Sequence, residues 1–124
     1  MNKLKTKWVN KWAKKNKIVD DNLIIAIENL ENNLSSSNLG GGLFKVRVAS
    51  QGGGKSGGFR TLIVYKEEDR AVVVYGFAKN EQDNLSKSEL LAFKKLSKDI
   101  LSQSQQDLEM AIKKGVFILL GEEQ

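Results

Sequence analysis

The chain of 124 residues contains no cysteine, no histidine and no proline. Without cysteine it can form no disulfide, no thiolate metal site and no thiol nucleophile. Without histidine it lacks the side chain that most often carries protons near pH 7, which is also the commonest metal ligand. Any catalysis must therefore rely on Lys, Arg, Tyr, Ser, Thr, Asp or Glu side chains.

Long apolar runs are also missing. None approaches the ~20 residues of a membrane span, and no apolar signal core follows the basic start of the chain. We therefore expect a soluble, cytoplasmic protein with no membrane partner. Residues 1–124 are long enough for one hydrophobic core, so a single domain is predicted.

The charge is unevenly distributed. The formal net charge is +5, yet residues 1–17 hold seven lysines and no acid. Residues 43–66 also contain no acid and hold five cations, namely Lys45, Arg47, Lys55, Arg60 and Lys66. Scattered lysines usually form a solvated surface, but two acid-free basic segments in so short a chain indicate an anionic partner. Nucleic acid is the partner that this pattern favours.

The first third of the chain predicts one strand and two helices. A short strand over residues 5–9 includes Trp8, and a helical turn begins at Trp12. A longer helix then follows Asp20 or Asp21, since a carboxylate at a helix N-terminus accepts unpaired backbone N–H groups.

The remainder predicts antiparallel strands followed by helices. Serines and glycines over residues 35–42 predict turns. Strands are predicted over residues 43–50, 59–65 and 70–77, with a turn at 67–69. A capping box at Ser86 opens an amphipathic helix, a shorter helix ends at Gly115, and residues 116–120 form an apolar strand or extended cover.

A glycine-rich loop over residues 49–56 fits a relaxed version of the phosphate-binding P-loop. That motif requires a helix behind its lysine, whereas a strand is predicted here after Gly58. The match is therefore interpreted as accidental. A flexible glycine hairpin that brings Lys55 against an anionic surface accounts for the same residues.

The cations of the predicted strands have two interpretations. Surface charges on a solvated sheet face would have acids on neighbouring strands, and these strands supply none. Arg60 is the sharper case, because it shares its face with Leu62 and Val64 and has no local carboxylate. We interpret it as binding an external anion. Tyr65 is open between stacking on a base and packing in the core.

Five motifs occur in order along the chain. They are Lys-Trp-x-x-Lys-Trp-Ala-Lys-Lys at residues 7–15, Leu-Gly-Gly-Gly-Leu at 39–43, Arg-Val-Ala at 47–49, Gly-Lys-Ser-Gly-Gly-Phe-Arg-Thr at 54–61 and Tyr-Gly-Phe-Ala-Lys-Asn-Glu at 75–81. In these motifs the chain resembles the RelE/HigB toxins of type II toxin–antitoxin systems. The resemblance implies an α+β fold with a small twisted antiparallel sheet flanked by N-terminal and C-terminal helices. It also implies ribosome-dependent cleavage of messenger RNA and inhibition by a cognate antitoxin of the helix-turn-helix type.

The chemistry that the resemblance implies needs neither a metal nor another cofactor. The 2′-hydroxyl of one nucleotide attacks the adjacent phosphate, and fixed cations stabilise the charge that develops on its oxygens. The implied catalytic residues are Arg60, Arg47, Lys79 and Glu81, and the implied RNA-binding residues are Lys45, Lys55 and Tyr65. Arg60 is expected to hold the scissile phosphate, and Lys79 or Glu81 to transfer a proton. Because histidine is absent, the general acid and base stay open.

Two other functions remain possible at this stage. A toxin of the same fold could act by binding a protein such as DNA gyrase, or the cations could bind RNA without chemistry. The cationic set on the strands favours the nuclease, since a gyrase-binding surface does not need to hold phosphates.

Overall fold

The computed structural model describes residues 1–48, 58–79 and 85–121. These residues form six strands and four helices. In chain order they are β1 (Asn2–Thr6), α1 (Lys7–Lys15), α2 (Asp20–Glu31), β2 (Ser36–Gly40), β3 (Leu43–Val48), β4 (Phe59–Lys66), β5 (Arg70–Ala78), α3 (Lys87–Ser102), α4 (Gln105–Lys113) and β6 (Phe117–Leu119).

All six strands belong to one sheet with the order β2-β3-β4-β5-β1-β6. Neighbouring strands run antiparallel except β1 and β5, which are parallel. The predicted α+β class and the largely antiparallel sheet are therefore confirmed. The parallel pair was not predicted, because it joins residues about half the chain apart and leaves no local signature.

Helices cover the sheet on both faces. On one face α1 and α2 pack through Val9, Leu23 and Ile27 against residues of the sheet such as Val46 and Ile63. On the other face α3 and α4 pack through Ile100 and Leu108 against Leu62, Val64 and Val72. Strands β3 and β4 alternate between these two cores, as the period of two requires. Strand β5 does so only as far as Val74, where a shift of register puts Val74 and the next residue, Tyr75, against the same core.

The N-terminal prediction was wrong in detail. The first strand ends at Thr6, and Trp8 lies in helix α1, which begins at Lys7. The Thr6 hydroxyl accepts a hydrogen bond from the backbone N–H of Val9 at 3.1 Å, so it caps this helix. The buried pair Val9 and Ala13, four residues apart, gives α1 the apolar stripe that holds it to the sheet.

The predicted cap of α2 was also displaced. Val19 is the N-cap residue, and its backbone N–H donates to the Asn22 side chain at 3.1 Å. Asp20 and Asp21 lie in the first turn instead. Their carboxylates still favour the helix there, because they face the positive end of its dipole.

The serine segment predicted as a turn is strand β2, paired with β3 from Ser36 opposite Val46 onward. Ser35, with φ of 53°, still bends the chain before β2, and the glycines turn it afterwards, since Gly40, Gly41 and Gly42 all have positive φ, at 92°, 66° and 82°. Serine favours turns locally, but here the long-range pairing with β3 overrides that preference.

Later elements agree with the predictions. The strand predicted over residues 43–50 is present over Leu43–Val48, and its last two positions lie outside the described residues. The β4–β5 hairpin has its predicted turn. Ser86 and Glu89 form the capping box of α3, and Gly115, with φ of 78°, follows α4.

Candidate functional site

Three of the predicted site residues meet in one cleft. Lys45 and Arg47 project from β3 and Arg60 from β4, and together they line a cleft of ≈ 380 Å³. The rest of the lining comes from the serines at positions 35–37. We call Lys45, Arg47 and Arg60 the cationic cluster.

Strand register explains why the cluster is so tight. Arg47 lies directly opposite Arg60 in the β3–β4 pairing, and Lys45 is opposite Leu62. Side chains that are directly opposite share one face of the sheet, with Cβ atoms about 4.5–5.5 Å apart. Two guanidinium groups in this position repel each other, so the pairing of Arg47 with Arg60 lowers the stability of the sheet.

Within the described residues, no carboxylate oxygen lies within 4.0 Å of a nitrogen in the cationic cluster. Arg60 Nη1 donates only a long hydrogen bond of 3.5 Å, to the carbonyl oxygen of the preceding Phe59. Arg47 is exposed, while Lys45 and Arg60 are partly buried. The cluster is therefore open to an anion from outside the molecule.

The serine lining was missed by sequence reasoning. Ser37 lies directly opposite Lys45, so its side chain is on the face of the cationic cluster. Serine hydroxyls beside the cations add hydrogen-bond donors for oxygen atoms of an anion. The signal was present in the sequence, because a run of serines precedes the glycine turn at the distance that an antiparallel partner of β3 requires.

Tyr65 is not brought to this cleft. It packs on the opposite face of the sheet, with its ring edge-on to Phe44 at a centroid distance of 5.9 Å. Burial raises the pKa of the Tyr65 phenol, and the negative charges of Glu31, Glu67 and Glu68 raise it further. An acidic neighbourhood is unfavourable for RNA, so the geometry favours a packing role for Tyr65.

The remaining predicted residues are placed differently. Lys79 is exposed directly after β5, and its backbone N–H donates to the carbonyl oxygen of Gly58 at 3.4 Å. That contact holds the end of β5 close to the start of β4, the strand of Arg60. Lys55, Glu81 and the glycine loop at positions 49–57 lie outside the described residues.

The described ranges 1–48, 58–79 and 85–121 contain neither a membrane-spanning helix nor a cluster of acids suited to a metal ion. No helix there is long and apolar enough to cross a membrane. No three Asp or Glu side chains there come together as a group that could hold a metal ion.

The fold and the cleft define a class of protein. It is a small basic α+β domain in which three cations, without a carboxylate partner among the described residues, line a cleft on the sheet, and this arrangement suits a partner that carries phosphate groups.

Comparison with known families gives the particular one. The family model described as the RelE toxin of the RelE/RelB toxin–antitoxin system matches residues 1–120. The chain therefore belongs to the RelE toxin family, and it is a toxin whose family implies a cognate antitoxin as partner. No curated protein matches the chain significantly.

Proposed function

We propose that this toxin is a ribosome-dependent endoribonuclease that cleaves messenger RNA at the cationic cluster. One observation carries the proposal: Arg47 and Arg60 face each other across β3 and β4, and no carboxylate of the described residues neutralises them. A phosphodiester group between them would relieve their repulsion and accept hydrogen bonds from both planar forks.

We infer the chemistry from the resemblance to RelE toxins, and the cationic cluster is suited to it. The 2′-oxygen of one nucleotide attacks the adjacent phosphorus, and the bond from phosphorus to the 5′-oxygen of the next nucleotide breaks. The products are a 2′,3′-cyclic phosphate and a free 5′-hydroxyl. Negative charge grows on the non-bridging oxygens in the transition state, and fixed guanidinium groups stabilise it more strongly than they stabilise the substrate.

The residues have separate roles in this scheme. Arg60 holds the scissile phosphate, while Arg47 and Lys45 hold the neighbouring backbone. One proton leaves the 2′-hydroxyl and another reaches the 5′-oxygen, and we assign this transfer to Lys79 or Glu81. Lys55 contacts RNA from the glycine loop. The ribosome contributes by presenting the message in a strained, single-stranded form.

The decisive test adds the purified chain to translating ribosomes and maps new 5′ ends on the message. We expect new 5′-hydroxyl ends within codons. A block of protein synthesis without such ends would contradict the nuclease function. Altered DNA supercoiling with unaffected translation would instead indicate a gyrase-type protein target.

Arg60→Ala sharpens the test. Removal of one transition-state donor typically costs about 10²–10³-fold in rate, so cleavage and growth inhibition should be lost. Lys66→Ala is the matched control, because Lys66 is an exposed cation on the same strand and outside the cleft. Full toxicity of a well-expressed Arg60→Ala variant would contradict the assignment of Arg60.

A further inference from the structure

A second cleft, of ≈ 330 Å³, lies where helix α1 crosses the end of strand β5. Trp8 and Trp12 line it from the helix, Tyr75 and Phe77 from the strand, and Lys15 stands at its rim. We call it the aromatic cleft. It holds both tryptophans of the chain.

The rings of this cleft pack against one another but remain partly exposed to solvent. Trp8 stacks on Tyr75 with centroids 4.6 Å apart, and the ring of Trp12 is nearly parallel to that of Trp8, with an interplanar angle of 12° and a centroid distance of 6.2 Å. Even so, 47% of Trp8 is exposed. Gly76 fixes the position of Trp12, because a Cβ atom at residue 76 would overlap the indole ring.

The strand register places the aromatic cleft beside the cationic cluster. Arg60 is directly opposite Arg47 on one side and Phe77 on the other, so the three form a row across the sheet. A parallel row joins Lys45 through Leu62 to Tyr75. Neighbouring strands are about 4.8 Å apart, so the backbone of Phe77 is about 5 Å from that of Arg60 and about 10 Å from that of Arg47.

The helix beside the cleft is strongly basic. Helix α1 contains no acid, and Lys11, Lys14 and Lys15 are exposed on it. None of the three lies within 4.0 Å of a carboxylate oxygen in the part of the chain that the structure describes. Rings flanked by unpaired cations on both sides match the composition of single-stranded nucleic-acid sites.

We propose that the aromatic cleft receives an unpaired base of single-stranded RNA, with the adjoining phosphates on the cationic cluster and on Lys15. Every base has an aromatic face, so a stack with Trp8 holds RNA with little dependence on sequence. This site rests on the proposed function, because it takes RNA as the ligand of the cationic cluster. An apolar anchor of a protein partner would fill the cleft without using the lysines.

Tryptophan fluorescence tests this site in the intact chain, since Trp8 and Trp12 both line the cleft. The probes are a 2′-O-methyl RNA hexanucleotide, which lacks the attacking hydroxyl, and an abasic oligonucleotide of the same charge. We expect the hexanucleotide to quench the fluorescence and the bound abasic chain to leave most of it. Equal quenching by both, or no binding of the hexanucleotide, would overturn the base site.

Variants separate the base site from the phosphate site. Trp8→Ala should weaken hexanucleotide binding about 10-fold and leave binding of the abasic chain unchanged, and Trp8→Phe should restore most of the loss. Arg60→Ala should weaken both probes. Met110→Ala, which truncates a side chain exposed on α4, is the control. Unchanged hexanucleotide binding by folded Trp8→Ala would overturn the site.

The two proposals can fail independently. If translating ribosomes yield no 5′-hydroxyl ends but quenching still depends on bases, the base site stands and the nuclease function does not. If cleavage occurs but quenching does not depend on bases, the nuclease function stands and the base site does not.

Discussion

The sheet carries cations in two regions that are built in opposite ways. Arg70 is only 2% exposed, and it donates to Asp69 Oδ1 and to the carbonyl oxygens of Ile100 and Gln103, each at 2.7 Å. The cationic cluster lies on β4 and β3, the next two strands of the sheet after β5. It has no such partners among the described residues.

Lys5 belongs with Arg70. It is 5% exposed, and its Nζ lies 2.6 Å from Asp20 Oδ1, while the other oxygen of that carboxylate accepts the backbone N–H of Gly121 at 3.0 Å. The fold therefore supplies a partner wherever a cation is buried for stability. Arg47 and Arg60 have no carboxylate partner among the described residues, and this is informative because the same chain shows how its structural cations are neutralised.

The largest effect on stability should separate the two arginine types. Arg70→Met removes three hydrogen bonds, and the carbonyl oxygens of Ile100 and Gln103 lose the buried donor that joins them to β5, so we expect the free energy of unfolding to fall by about 3 kcal/mol. Arg60→Met should change it by less than ~0.5 kcal/mol, because little is lost beyond a long contact and a like-charge repulsion. Urea denaturation of both variants measures the difference. Equal losses in the free energy of unfolding for the two variants would contradict the distinction between Arg70 and Arg60.

A smaller effect of opposite sign is expected for charge reversal in the cationic cluster. Arg47→Glu places a carboxylate opposite Arg60 and should raise the free energy of unfolding by about 0.5 kcal/mol, while RNA cleavage is lost. The gain should shrink as salt rises, since the pair is exposed. Arg47→Gln serves as the control, because it removes the repulsion without adding attraction. A clear loss of stability in Arg47→Glu would show that Arg47 is structural.

The contrast between the regions also marks how far the sequence could predict them. Alternation along β3 predicted that Lys45 and Arg47 share a face, and the neighbours of Arg60 predicted its face on β4. Both predictions rest on the alternation of side chains between the two faces of a strand, which has a period of two residues regardless of the rest of the fold. The direct opposition of Arg47 and Arg60 depends on the register of two strands joined by residues 49–58, and no local pattern fixes that register.

Non-local contacts account for the other differences. No local pattern indicated that β1 would pair in parallel with β5. That pairing ends at Lys5 and Val73, short of the end of β5. Beyond Val73, β5 is paired with β4 but no longer with β1. Helix α1 packs beside this end of β5, and the aromatic cleft around Tyr75 lies there. Trp8 was wrongly predicted in a strand because its local propensity favours a strand, whereas the helix that contains it is stabilised by packing on β5, which is distant in the sequence.

The smallest expected change concerns acid stability on the paired side of the comparison. The hydrogen bond from Arg70 lowers the pKa of the Asp69 carboxyl below its ordinary value of 3.8, and the charges of Arg70 and Lys66 lower it further. A carboxyl with a lowered pKa in the folded state stabilises the fold above its unfolded pKa. That contribution is lost as pH falls through the folded pKa.

Asp69→Asn should therefore be less stable than the parent chain at pH 5–7. The difference should shrink as pH falls below the unfolded pKa of about 3.9, and it should disappear once the pH is below the lowered folded pKa, where both side chains are neutral. Urea denaturation across this pH range measures the difference. Asp99→Asn is the control, since Asp99 is exposed and forms no ion pair within the described residues. A difference that is constant with pH would mean that Asp69 acts through hydrogen bonds that the neutral amide also makes, and that its charge contributes nothing to the pairing of Arg70.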